Sequence, residues 1–178
     1  VHVPAVVQAW HLGQSAGKAI SDVLFGDYNP GGKLPMSAAH STGQLPVYYA
    51  HQRGSGYEGR AYWPWSAPGY VDGTDRPLYP FGHGLSYTQF TYSGLVIEPT
   101  ETQGDGTVEI SCVVSNMGQR AGDEVVQVYI VDQVASVARP VKELVGFRRI
   151  TLDVGESRRV HFTIQVSQIA FLNRQMRW

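Results

Sequence analysis

The chain has 178 residues, of which 43% are hydrophobic and 16% are charged. This length suits one domain or two small ones, and the apolar content is sufficient for a core. Lys and Arg total 14 and Asp and Glu total 15, which gives a net charge of −1. No strong electrostatic field is therefore available for nucleic acid or an anionic membrane, and no apolar run approaches the roughly 20 residues of a transmembrane helix.

Residues 1–45 predict a strand, a helix and a turn. The apolar run 4–10 suits a buried strand. A helix is predicted over 15–25, with Ser15 as its N-cap and Gly26 as its C-terminal glycine. Its apolar positions share one face: Ala16, Ala19, Ile20, Val23 and Leu24. A turn at 29–32 follows, in which glycine permits a positive φ. One strand and one helix cannot bury a core, so we expect a terminal piece of an α/β sheet layer.

Residues 46–90 have no sustained hydrophobic period and are rich in aromatic residues, glycine and proline. We expect an ordered connecting segment, because disordered segments are usually poor in aromatic residues. Its rings either stack on sugars or pack two domains together, and packing is the favoured interpretation. Gly54–Gly59 fits a dinucleotide-binding pattern, but Pro64 would break the helix that this motif requires.

Candidate binding residues cluster on one loop of this segment. Among the six histidines, none has the spacing of a metal-binding pair, and His51 is the favoured ligand contact. Glu58 is a weak candidate for an acid in sugar hydrolysis, which requires two carboxylates. We predict a substrate-proximal loop made of His51, Arg53, Tyr57, Glu58 and Arg60. No metal site and no Ser-His-Asp or Cys-His set is predicted.

Residues 91–178 alternate between apolar and polar positions, as strands of a sandwich do. The clearest predicted strands lie around 108–114, 126–130 and 160–166, and turn signals separate them. His161 is expected on the exposed face, whereas Cys112 is expected to point inward as a small buried hydrophobe. About five strands are visible where an immunoglobulin-like sandwich has seven, so we expect its last strands to be missing.

Several long motifs resemble glycoside hydrolase family 3, and they cover nearly the whole chain in the order of that family. The run 29–35, Asn-Pro-Gly-Gly-Lys-Leu-Pro, resembles the end of the family's α/β sandwich domain. The run 78–90 resembles a strong C-terminal signature, and 122–129 with 139–147 resemble its fibronectin type III-like domain. The run 45–51 is similar to bacterial periplasmic β-glucosidases.

The resemblance implies a mixed fold. Residues 1–45 would end an α/β sandwich domain, 46–90 would be a connecting segment, and 91–178 would form a mostly-β fibronectin type III-like sandwich. It further implies retaining hydrolysis of β-linked glucosides or xylosides without metal or cofactor. The family's nucleophile is an Asp on an N-terminal barrel and its acid/base is a Glu on an earlier part of the α/β sandwich. Neither segment is present, so no catalytic residue is assigned here.

Two functions follow as hypotheses. In the first, the chain is the C-terminal part of a β-glucosidase-like enzyme and is inactive alone. Its loop shapes the active-site mouth or a subunit interface. The alternative is a non-catalytic carbohydrate- or protein-binding sandwich. The expected partners are β-linked oligosaccharides, the upstream barrel and α/β domain, and a second copy in a homodimer. The first residue is Val1 and no signal peptide is visible, so we expect a longer polypeptide, placed by resemblance in the periplasm or outside the cell.

Overall fold

A computed structural model describes residues 3–52, 74 and 76–177 of the chain. Its one α-helix within these residues, α1, spans Ala16–Phe25. Five strands follow, and they are β1 (Phe90–Glu98), β2 (Thr107–Asn116), β3 (Gly122–Ile130), β4 (Glu143–Leu152) and β5 (Ser157–Gln165). Short 3₁₀ turns lie at Thr42–Gln44 and Val166–Gln168. None of the described helices is long and apolar enough to span a membrane.

The five strands form two antiparallel sheets. One sheet has the order β1-β2-β5, and β3 pairs with β4 in the other. In β2, β3, β4 and β5 the buried residues lie at every second position, so these side chains face the space between the sheets, whereas β1 has no buried residue. The buried core consists of Val114, Val126, Ile150, Leu152, Val160, Phe162 and Ile164. Aliphatic residues from both sheets therefore hold the sandwich together.

The strands predicted around 108–114, 126–130 and 160–166 are confirmed as parts of β2, β3 and β5. The structure adds the bounds of β1 and β4. His161 is exposed as predicted, and the half-buried Cys112 packs against the core. Strand β1 is irregular between Ser93 and Val96, where Gly94 has φ +57°. A bulge of this kind twists an edge strand away from further pairing.

The predicted helix is confirmed, but its surroundings differ from the expectation. Gly26 ends α1 in a left-handed conformation with φ +83°, and its N–H donates to the carbonyl of Val23. Ser15 occupies the N-cap position without a side-chain hydrogen bond. No residue of α1 is buried, and Leu24 and Phe25 are strongly exposed. The apolar face is thus present in the sequence and uncovered in the described part of the chain.

The predicted strand at 4–10 is wrong, because this segment forms no strand and its apolar side chains, including Val6 and Val7, are exposed. An apolar run becomes a strand only where a neighbour supplies hydrogen-bond partners, and no described strand lies beside it.

The turn predicted at 29–32 is also corrected. Gly31 does not have a positive φ. It is a glycine because a Cβ there would lie 2.6 Å from the carbonyl oxygen of Asp123. The proposed boundaries at 45/46 and 90/91 stay predictions.

Candidate functional site

His51 is the one member of the predicted loop that the structure describes. Its carbonyl accepts a 2.8 Å hydrogen bond from the N–H of Val141, and Gln52 forms an isolated antiparallel bridge with Pro140. The half-buried His51 ring has Nδ1 3.3 Å from the carbonyl oxygen of Gln52. The backbone entering the predicted loop is therefore attached to the segment before β4. Arg53, Tyr57, Glu58 and Arg60 lie outside the described residues.

Gln44 holds the chain where the description resumes after the predicted loop. Its Nε2 donates to the carbonyl oxygens of Thr74 at 2.9 Å and Arg76 at 2.8 Å, and its Oε1 accepts from the N–H of His40 at 2.7 Å. The side chain is only 4% exposed. A buried amide is costly unless both ends are satisfied, and here the backbone satisfies them. Gln44 thus ties the 3₁₀ turn at Thr42–Gln44 to the backbone at Thr74 and Arg76.

Aromatic rings pack the connecting segment against the sandwich. Tyr49 stacks on Phe81 with centroids 4.1 Å apart and meets the ring of Tyr129 edge-on at 6.2 Å. The amino group of Lys142 lies 5.1 Å from the Tyr129 centroid, within cation–π range. Within the residues described, these rings contact one another where the connecting segment meets β3, which we call the junction. This is the packing role favoured from the sequence.

A buried ion pair lies at the same junction. Lys33 Nζ is 3.0 Å from Glu124 Oε2 and 2.9 Å from the carbonyl oxygen of Gly84. The second oxygen of Glu124 accepts a 2.8 Å hydrogen bond from the hydroxyl of Tyr92. The side chains of Lys33 and Glu124 are 14% and 9% exposed. Burial, together with the hydrogen bond to Glu124, raises the pKa of Tyr92, which keeps this hydroxyl a donor.

A pocket of about 320 Å³ opens beside the ion pair. Its lining comprises Lys33, Pro80, Phe81, Gly82, His83, Tyr92, Glu124, Val125, Gln127, Tyr129 and Lys142. Among the described residues that line this pocket, Glu124 is the only carboxylate, and its charge is already balanced by Lys33. Glycosidic hydrolysis requires two carboxylates, so this pocket does not hold that machinery. Among the described residues, no group of three or more His, Cys, Asp or Glu could hold a metal ion.

Sequence reasoning missed Glu124 as a structural charge, although a signal was present. Glu124, Val126 and Val128 alternate on one face of β3, so the strand period places an acid on the apolar side. An acid in that position requires a buried partner. The sequence alone did not identify that partner, because Lys33 lies 91 positions earlier in the chain.

Comparisons with known proteins agree with this architecture. Residues 1–87 match the family model for the glycosyl hydrolase family 3 C-terminal domain, and residues 124–178 match that for a fibronectin type III-like domain. The predicted fold class is confirmed: a segment with one described helix precedes a mostly-β sandwich, whose described strands form two antiparallel sheets.

The individual relatives are glycosidases. The chain is 47% identical to the periplasmic β-glucosidase of Salmonella typhimurium, over 98% of the chain and 23% of that protein. It is 41% identical to a β-xylosidase of Formosa agariphila, over 99% of the chain and 23% of that protein. The solved β-glucosidase from Listeria innocua with gluconolactone superimposes with a TM-score of 0.84 at 37% identity, covering 96% of this chain and 24% of that one. The chain thus spans less than a quarter of the length of these relatives.

Proposed function

Because the chain belongs to glycoside hydrolase family 3, we propose that it is the C-terminal part of a retaining β-glucosidase-like enzyme. The whole enzyme releases glucose or xylose from β-linked oligosaccharides, and its catalytic carboxylates lie outside these 178 residues. This segment has a structural role. The relatives named as β-glucosidase and β-xylosidase support this substrate class, and the periplasmic relative supports a periplasmic location.

The observation that carries the structural role is the packing of segment 31–52 on the sandwich. Lys33 pairs with Glu124 where both side chains are largely buried, and Tyr49 stacks on Phe81 while it meets Tyr129 of β3 edge-on. Groups held in such contacts stabilise the packing of this segment on the sandwich. The pocket at this junction, with its single neutralised carboxylate, supports the same assignment.

A decisive experiment compares two polypeptides in hydrolysis of an aryl β-glucoside and an aryl β-xyloside. One is the 178-residue chain alone, and the other is the longer polypeptide that carries it. We expect turnover only from the longer polypeptide, because two positioned carboxylates are needed for the reaction. Turnover by the chain alone would contradict the proposal. Binding of soluble glucans by the isolated chain would instead favour the carbohydrate-binding alternative.

The predicted loop is proposed to shape the active-site mouth or a subunit contact. Its members are His51, Arg53, Tyr57, Glu58 and Arg60, and the fixed backbone at His51 and Gln52 supports a defined starting point for it. The test measures kcat, KM and oligomer size of the whole enzyme carrying Tyr57→Ala or Arg60→Ala. The exposed Arg174→Ala is the matched control. Kinetics and oligomer size that equal those of the control would remove the loop from the proposal.

A further inference from the structure

The Lys33–Glu124 pair joins two parts of the chain that the sequence separates widely. Lys33 lies in segment 31–38, which is bonded to segment 78–84 through backbone pairs such as Leu34 N–H to the His83 carbonyl at 2.8 Å. Glu124 lies on β3 of the sandwich. The lysine stem fits a narrow slot, since a Cβ added to Gly84 would lie 2.9 Å from Lys33 Cδ. The pair therefore connects the two hydrogen-bonded segments, 31–38 and 78–84, to the sheet that contains β3.

Each charged or polar side chain in this cluster has at least one hydrogen-bond partner. Lys33 donates to Glu124 and to the Gly84 carbonyl, and Glu124 also accepts from Tyr92 on β1. A shift of segments 31–38 and 78–84 along β3 would separate the ammonium from the carboxylate. Both charges would then be buried without a partner, which is strongly unfavourable. Any other placement of segment 31–38 on β3 thus has a higher free energy, because it separates the two charges, even where its apolar contacts are adequate.

Two other polar contacts between the first thirty residues and the sandwich are more exposed to water than the Lys33–Glu124 pair. Asn29 Nδ2 donates to the Ala121 carbonyl at 2.9 Å, and Arg149 donates to the Tyr28 hydroxyl at 2.6 Å. Water can replace the partners of such groups when the two parts shift, so these contacts discriminate weakly between arrangements. The buried pair differs because water does not reach it to the same degree.

We propose that the Lys33–Glu124 pair is an orientation lock, which fixes a single docking arrangement of segment 31–38 on β3. Its contribution is mainly to the uniqueness of the arrangement and less to stability, because a buried ion pair recovers in attraction little more than the hydration it loses. Lys33 and Glu124 are thus positioning residues, and Tyr92 holds the carboxylate in place. The inference does not depend on the proposed hydrolytic activity.

The test uses the longer polypeptide that carries this chain, spin-labelled in a background freed of native cysteines, Cys112 included. The labels are placed at two exposed positions, Lys18→Cys on α1 and His161→Cys on β5. Pulsed electron–electron resonance then gives the distribution of distances between them. The test variant is Lys33→Met with Glu124→Met, which replaces the pair by apolar side chains of similar length.

The matched control is Glu156→Met with Arg158→Met, which removes an ion pair whose side chains are 33% and 47% exposed. We expect one narrow distance distribution in the parent and the control, and a broadened or two-peaked distribution in the Lys33/Glu124 variant. A distribution as narrow as the control's, with the same mean, would overturn the proposal. If that variant does not fold, Glu124→Gln removes the charge with little change in shape. It is expected to broaden the distribution as well, and an unchanged width would overturn the lock equally.

Discussion

Asn116 is a fully buried polar residue at the end of β2, and replacing it tests how much its hydrogen bonds stabilise the sandwich. This residue ends β2 and is 0% exposed. Its Oδ1 accepts from the Thr88 hydroxyl at 2.6 Å and from the Gly118 N–H at 3.1 Å. Its Nδ2 donates to the carbonyl oxygens of Arg120 at 2.7 Å and Leu152 at 3.2 Å. One amide thus joins four separate backbone or side-chain groups.

The cost of Asn116→Ala follows from these four bonds. Each contributes about 1 kcal/mol net, and a buried partner left without a replacement costs about 1–3 kcal/mol. Thr88 and the carbonyl of the fully buried Leu152 are the partners that water reaches least. We therefore expect a loss of about 4 kcal/mol in the free energy of unfolding. For a domain of about 90 residues, the size of the predicted sandwich, that loss corresponds to a decrease in Tm of roughly 15–30 °C.

The measurement is urea and thermal unfolding followed by far-ultraviolet circular dichroism. Far-ultraviolet circular dichroism reports directly on the strands β1–β5. The matched control is Asn173→Ala, whose Oδ1 accepts from two nearby N–H groups in the C-terminal turn. That change is expected to cost less than about 1 kcal/mol.

A second variant at the same position tests the direction of each bond. In Asn116→Asp the introduced carboxylate cannot donate to the Arg120 and Leu152 carbonyls, so its folded-state pKa rises above the unfolded value. The unfolded state then loses its proton first as pH rises, and stability falls between about pH 4 and pH 7. A loss below about 1 kcal/mol for Asn116→Ala, or no pH dependence for Asn116→Asp, would refute the reasoning.

Two further predictions concern the fit of Gly31 against the Asp123 backbone and the charge of the Asp123 carboxylate. Gly31→Ala should lower the free energy of unfolding by about 1–3 kcal/mol, because the new methyl group would meet the backbone carbonyl of Asp123. The control is Gly32→Ala, because an added Cβ there has nothing within 4 Å. Equal urea midpoints for the two variants would contradict this prediction. The Thr151 hydroxyl and the Arg149 guanidinium lower the pKa of Asp123, so this carboxylate stabilises the fold above its unfolded pKa, and the effect is lost as pH falls through the folded value. Asp123→Asn should therefore flatten the loss of stability below about pH 4 in acid titrations of the unfolding free energy; a slope identical to the parent's would count against it.

The sandwich strands were predictable because their periodicity depends on local sequence alone. Alternation placed Val114, Val126 and Val160 inward, and burial confirms each of them. The helix and its Gly26 cap were predictable for the same reason. The run at 4–10 was not, since apolar character does not specify a neighbouring strand.

The junction was less accessible to sequence reasoning. The contacts of Lys33 with Glu124 and of Gly31 with Asp123 both join residues from distant parts of the chain. Pattern analysis finds a residue's face but not its partner across such a separation. Of the predicted loop, His51 has an observed position, and the roles of the other members stay predictions.

The bridge between Ala38 and Tyr79 closes a long stretch of chain at its base. The entropy of closing such a stretch grows only logarithmically with length, and a doubling costs about 0.6 kcal/mol. By this entropy alone, residues added between Gln52 and Thr74 would change the stability of the base very little. The contacts of Gln44, Tyr49 and His51 lie outside that interval, so the junction and the sandwich would keep them.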